Sequence, residues 1–535
     1  MKRKWGALLL AGAMCVSLFT GCSSSSTTEA TTQEETTAQT EIKEELVFVN
    51  YRDIRDLNPH LYAGEMYAQE MLFETLVNIT EDGYEGCLAE SWEVSPDGKT
   101  YTFHIREGVY FSDGEICDAN AIKANFDAII ENKDRHTWLE MMNLLVGVSA
   151  PDANTFVIEL SEPYYPLLTE IGVTRPFAMI SPKAMKDGST KDGVNEYIGT
   201  GPYILSEVVT DEYAIFEANP NYWGEQPKLK KITVKVIPDN QTRILALEKG
   251  EIDLIFGKNM LDADALNQYR DNENFTVAIS DPTSTRQIVL NTSTGILADK
   301  NVRVALQHAT NKQAISEGIF YGLEPAADTL FAKTVPYCDI DLQPYAYDPE
   351  LAAQLLEEAG WTMGPGNVRQ KDGQKLELGL LYNSDSVTEK AISEYLQSEY
   401  QAIGVTLNIH GEEEQSYRDN MKAGNFDMVF NICWGMPYDP QSSLAAMRAP
   451  VYGDYAAQLG LEDKAEIDQA ISQILISTDE TKRQELYDFV LTRLHEDAVY
   501  IPLTYECNKA IYRSDMKGFH FTQTQYEVPF EDFYF

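Results

Sequence analysis

The chain has 535 residues, of which 44% are hydrophobic and 24% charged, and its 84 Asp and Glu against 42 Lys and Arg give a formal net charge of −42. That excess of carboxylate excludes a nucleic-acid binder, because contact with a phosphate backbone needs a cationic surface. The apolar content over this length suffices for two or three core-bearing units.

At the N-terminus Lys2, Arg3 and Lys4 precede an apolar run from about Gly6 to Phe19, too short for a bilayer that needs roughly 20 residues. The pattern predicts a signal peptide over 1–21. The run closes on Leu18-Phe19-Thr20-Gly21-Cys22, which resembles the lipobox of bacterial lipoproteins, with Phe19 where an aliphatic residue is usual. The resemblance implies that Cys22 is the lipid-attachment site and first mature residue, fixing the protein to the extracytoplasmic face of the cell membrane by several acyl chains. Residues 22–45 are mostly Ser, Thr, Glu and Gln, which cannot bury enough surface to offset chain entropy, so a disordered tether is expected.

The remaining 490 or so residues alternate strand and helix signals. Trp92 to Arg106 reads as a β-hairpin around Pro96-Asp97-Gly98, with Tyr101, Phe103 and Ile105 on one face. Asp118 to Asn132 carries Ile122, Phe126 and Ile129 or Ile130 at helical spacing. Lys231 to Val236 predicts a strand, Asp239 a cap for the helix Thr242–Lys249, Gly250 its stop, and Ile252–Phe256 the next strand. Further along, Gln287–Leu290 predicts a strand, Asn301–Gly318 one helix, and Asp348-Pro349 the start of another that buries Leu351, Leu355, Leu356 and Ala359 and stops at Gly360. Leu376–Tyr382, Ser386–Ile403, Val405–Ile409 and Phe426–Ile432 continue the alternation, which indicates an α/β fold. With no free linker after residue 45, ordered crossing strands should join the units.

Apart from Cys15 and Cys22, five cysteines remain, Cys87, Cys117, Cys338, Cys433 and Cys507. An odd number cannot all pair, and no CxxC spacing supports a zinc or thioredoxin-type motif. Cys433 precedes Trp434 at a strand end, so their side chains point to opposite faces, with Cys433 inward. His60, His104, His308, His410, His495 and His520 show no metal-ligand spacing, with His104 read in a strand, His308 and His495 in helices, and His410 and His520 at strand ends. GxSxG, HExxH, Walker A and a full GxGxxG are all missing; Gly199-Thr200-Gly201 lacks the third glycine and leads into a strand.

Several segments resemble family 5 of the bacterial extracellular solute-binding proteins, the peptide and nickel class: Leu88-Ala89-Glu90-Ser91-Trp92 with its Ser95–Lys99 turn, Phe111-Ser112-Asp113-Gly114-Glu115, Gly199-Thr200-Gly201-Pro202-Tyr203, Asn221-Tyr222-Trp223-Gly224 and Gly250-Glu251-Ile252-Asp253. They run in the family's order from about residue 45 to the end. The resemblance implies two α/β lobes hinged as in periplasmic binding proteins, with an extra subdomain in lobe one. Lobe one would be 46–284 with 507–535, and lobe two 285–506. Asn58 to Tyr62, Arg135 to Glu140, Tyr164-Tyr165-Pro166, Arg175-Pro176-Phe177 and Trp434 to Pro440 are similar to the family's nickel-binding subgroup.

That likeness implies a lipid-anchored, monomeric binding protein of an ABC importer, served by permease and ATPase subunits. It would be a capture protein and not an enzyme, with no catalytic cofactor, and its ligand a nickel or similar transition-metal chelate. A short peptide, which the wider family carries, is the alternative. By the same likeness Met66, Arg135, Trp138, Arg175, Trp434 and Tyr438 line the cleft. Guanidiniums grip carboxylates through paired hydrogen bonds, and indole and phenol rings form flat walls for a small chelate. Taken singly, each residue also has an ordinary reading as a surface pair, loop ion pair or core filler. Tyr452 stands where the subgroup has a metal-coordinating histidine, and Tyr526 where it has a small polar residue. A phenol is a poorer nickel ligand than imidazole, so the metal is expected to arrive inside its own chelator or not at all.

Overall fold

The computed structural model describes residues 43–535 apart from Asp82, Asn259 and Thr294. The leader, Cys22 and nearly all of the tether lie outside the described residues. Lys43 already pairs with Asp253 at 2.5 Å, and strand β1 (Glu45–Asn50) starts on the last residue of the predicted tether.

Helix α1 (Met66–Leu72) follows, then strands β2 (Ala89–Val94) and β3 (Thr100–Ile105) as the expected hairpin, with Tyr101, Phe103 and Ile105 buried. Helix α2 (Ala119–Glu131) is capped by the Asp118 carboxylate, which accepts from the amides of Asn120 and Ala121, satisfying donors that a helix start leaves free. Its Ile122, Phe126 and Ile129 pack into one core with β3 and the strands β4 (Leu145–Asp152) and β5 (Thr155–Leu160). The four strands form a separate sheet in the order β2-β3-β5-β4.

The large sheet is built from β6 (Tyr203–Val209), β7 (Tyr213–Ala218), β8 (Lys231–Val236), β9 (Leu254–Phe256), β10 (Phe275–Leu290), β11 (Glu377–Asn383), β12 (Thr406–Glu412), β13 (Met428–Ile432) and β14 (Tyr500–Arg513) together with β1, in the order β6-β7-β8-β1-β9-β14-β10-β13-β11-β12. Beside β9 lies one end of the β10–β14 pair, where Phe275 faces Arg513. The other end, where Val289 faces Tyr500, lies beside β13. Two α/β lobes therefore share one strand pair. Its register breaks between Ile279 and Ser284, which interrupts the ladder at the crossing.

Two sequence expectations are corrected along this path. Gln287–Leu290 is only the end of the 16-residue β10, because Pro282 and the Ser/Thr residues around it hide a strand in sequence. Asn301–Gly318 is two helices, Lys300–His308 and Lys312–Phe320. The Asn311 side chain accepts from the Ala314 amide and Thr310 Oγ1 donates back to the Leu306 carbonyl, so local polar groups compete with helix continuation. His520 is a third correction: it follows β14 in irregular chain and ends no strand. All five described cysteines are free and buried, Cys433 among them.

Charges are concentrated at the crossing. Arg286 Nη2 pairs with Glu506, Lys258 Nζ donates to Ser284 Oγ at 2.6 Å and lies 3.4 Å from Glu506, and Lys509 Nζ pairs with Glu324 at 2.9 Å. Burial alone would raise the Glu506 pKa, but the Arg286 and Lys258 cations hold it at about 2. The lobes also touch away from the crossing. Tyr165 donates from its amide to the Leu475 carbonyl at 2.8 Å and from its hydroxyl to Glu480 at 2.7 Å, and the Arg483 guanidinium lies 3.5 Å above its ring.

Candidate functional site

Between the lobes lies a cleft of about 850 Å³, walled by Tyr62 and Trp138 from the first lobe and by Trp434, Tyr438 and Tyr452 from the second. Trp138 follows a short 3-10 turn that ends at Arg135. Its Nε1 donates to the Tyr62 phenol at 2.9 Å, and that phenol lies 2.7 Å from His136 Nδ1. Burial and then the Arg135 charge lower the His136 pKa to about 4, so its ring is neutral. Burial raises Tyr62 to about 12, which keeps the phenol protonated.

The opposite wall is the turn after β13. Gly435 has φ +79°, and a Cβ there would meet the Gln525 amide at 2.5 Å, so any other residue would be strained and would displace that side chain. The buried Asp439 carboxylate accepts from the Gly435 amide at 2.8 Å and from Ser443 Oγ. This presents Trp434 and Tyr438 side by side, 5.6 and 5.9 Å from the Trp138 ring, with Tyr452 6.1 Å from Trp434. Burial also raises the Tyr438 pKa. The result is a small box of aromatic faces.

The remaining candidates fall in three places. Arg175 stands behind Tyr62: Nε donates to Gln69 Oε1 at 2.7 Å, Nη1 to the Tyr62 carbonyl at 3.0 Å and Nη2 to the Gly64 carbonyl at 2.6 Å. One N–H on each terminal nitrogen remains. Arg135 is exposed, and its side chain has no partner among the described residues. Neither arginine lines the aromatic cleft, although the charges of both act on Tyr62. Met66, the first residue of α1, lines a neighbouring cavity of about 380 Å³ instead, together with Glu70, Glu74, Glu527 and Glu531, and Tyr526 borders both spaces.

Sequence reasoning overlooked Tyr62 and the polar floor of the cleft. Glu389, Arg418 and Asn383 line it from the second lobe. Arg418 belongs to a helix over Glu414–Ala423 and pairs through Nε with Glu414, four residues back, which in sequence is an ordinary surface pair. Burial lowers the Arg418 pKa, but the Glu414 contact and the Tyr452 phenol beside it bring it above the usual value. No cluster of three or more His, Cys, Asp or Glu able to hold a metal occurs among the described residues.

The model of the family described as bacterial extracellular solute-binding proteins, family 5, matches residues 83–454. The chain belongs to this family. The family 5 relative named nickel-binding periplasmic protein, from Escherichia coli K12, is 41% identical over 483 residues, spanning 90% of this chain and 92% of that one. A crystal structure of NikA from Brucella suis with Fe(III)-EDTA superimposes with a TM-score of 0.89 at 45% identity, covering 91% of this chain and 99% of that one. The dipeptide-binding protein of Escherichia coli K12 is 27% identical over 503 residues, 89% and 91% of the two chains. This family 5 membership agrees with the two-lobe architecture and with the resemblance read from the sequence.

Proposed function

We propose that this protein is the lipid-anchored substrate-binding protein of an ABC importer, and that it captures a nickel or similar transition-metal chelate outside the cell for delivery to the permease. It acts as a monomer without catalysis or catalytic cofactor, tethered by Cys22 to the extracytoplasmic face of the membrane. The observation that carries the reading is the box of Trp138, Trp434, Tyr438 and Tyr452, sized for a small flat-sided complex, in a chain 45% identical to a protein solved with Fe(III)-EDTA. Arg135 and the free N–H groups of Arg175 supply positive charge at the first-lobe edge for the chelator's carboxylates. Among the described residues no imidazole lines the cleft, so the chelator satisfies the metal and Tyr452 takes the place of a protein ligand.

Calorimetry with the mature protein tests this directly. Nickel complexed by a polycarboxylate should bind tightly and bare Ni²⁺ weakly; tight binding of bare Ni²⁺ overturns the reading. Mass spectrometry of the gently purified protein should find a metal with its chelator. A retained short peptide without metal would establish the alternative, which the 27% identity to a dipeptide-binding protein and the missing imidazole favour.

A further inference from the structure

Among the described residues Arg418 is the one guanidinium that lines the aromatic cleft, and its side chain is 56% exposed. Its Nε is held by Glu414 Oε1, and Glu414 is itself fixed through Oε2 by Asn383 Nδ2. The terminal nitrogens, Nη1 and Nη2, make no hydrogen bond among the described residues. A guanidinium anchored through Nε alone presents its flat end as a two-pronged donor, the geometry that matches a carboxylate. The Tyr452 phenol stands beside it and lines the same cleft. The two acids on this wall are engaged elsewhere: Glu389 Oε2 accepts from the Asn383 amide at 2.9 Å, and Glu414 uses both oxygens.

We propose that Arg418 and Tyr452 form a carboxylate clamp on the second lobe, so that the ligand is a chelate with carboxylate oxygens turned away from its metal. This rests on the chelate reading above and adds what that reading lacks, a second-lobe contact for ligand charge. It also gives Tyr452 a role other than metal ligation: its hydroxyl donates to the carboxylate. A ligand held by Arg135 and Arg175 at one lobe and by Arg418 at the other favours the closed form over the open one, which differential affinity requires.

Titration of the mature protein with nickel nitrilotriacetate, which has outward carboxylate oxygens, and with nickel triethylenetetramine, which has none, tests the clamp. The parent should prefer the carboxylate complex. Arg418→Gln should weaken that complex at least tenfold and Arg418→Lys by less, with thermal unfolding of both variants matching the parent. Arg418→Gln within threefold of the parent overturns the proposal, and so does a parent that prefers the amine complex or binds neither chelates nor peptides. If the parent takes short peptides and no chelate, the metal reading fails but Arg418 is still decided. Loss in Arg418→Gln of a preference for a free over an amidated peptide C-terminus supports the clamp, and an unchanged preference overturns it.

Discussion

Trp138 is held by Tyr62: the indole donates to the phenol at 2.9 Å, and the same phenol is bonded to the neutral His136. Tyr62→Phe keeps the ring and removes both bonds, so Trp138 gains freedom that ligand binding must then restrict. The expected loss of affinity is about 1 kcal/mol, the usual net worth of one such bond, or roughly fivefold in Kd. Calorimetry on the variant, with unfolding temperature as control, reads this outcome.

Tyr452→His should raise affinity for nickel chelates that leave one coordination position open, because imidazole is the better nickel ligand. A chelator that fills every position should gain nothing. Comparing the two classes of complex on parent and variant separates metal ligation from a change of pocket shape.

Glu506 neutralises a buried arginine and a half-buried lysine at the lobe crossing. Glu506→Gln leaves Arg286 and Lys258 with less compensation, and urea unfolding should show a loss of about 3–5 kcal/mol, as when one partner of a buried pair is removed. Because its folded pKa is lowered to about 2, its contribution is present above its ordinary value of 4.5 and disappears as pH falls through 2.

The acid-lined cavity predicts the opposite pH dependence. Burial, followed by the Glu527 charge, raises Glu531 from 4.5 to about 8. A raised carboxyl favours the folded state while protonated, so its contribution is complete below pH 4.5 and lost as pH rises through 8. Glu531→Gln should flatten the stability profile between these limits and be more stable than the parent at pH 8, as chemical denaturation across the range would show.

The sequence carried the elements whose signals are local. Asp239 caps the helix it was expected to cap, and Asp118, Asp348 and Ser386 stand at the starts expected for theirs, where they serve as caps; alternation revealed β3 and β8. The break at Thr310 and Asn311 was missed because apolar spacing continues through it. Four cleft aromatics, Trp138, Trp434, Tyr438 and Tyr452, meet from segments some 300 residues apart, and only likeness to a family could associate them. Arg418 and Tyr62 stayed hidden since nothing in their neighbours distinguishes a cleft wall from an exposed face. Met66 lines the adjoining cavity, and Arg175 is braced by the Tyr62 and Gly64 carbonyls with one N–H left on each terminal nitrogen.

Away from the crossing, Tyr165 is bonded to Glu480 and lies under Arg483, so the lobes adhere to one another there as well. Any rotation that parts the lobes must first break the hydroxyl bond and lift the cation off the ring, a contact of about 0.5–2 kcal/mol. That adds to the barrier for opening without touching the ligand. Residence time in the cleft is therefore set partly at a distance from it, and a partner that pulled on this rim could release the cargo without competing for it.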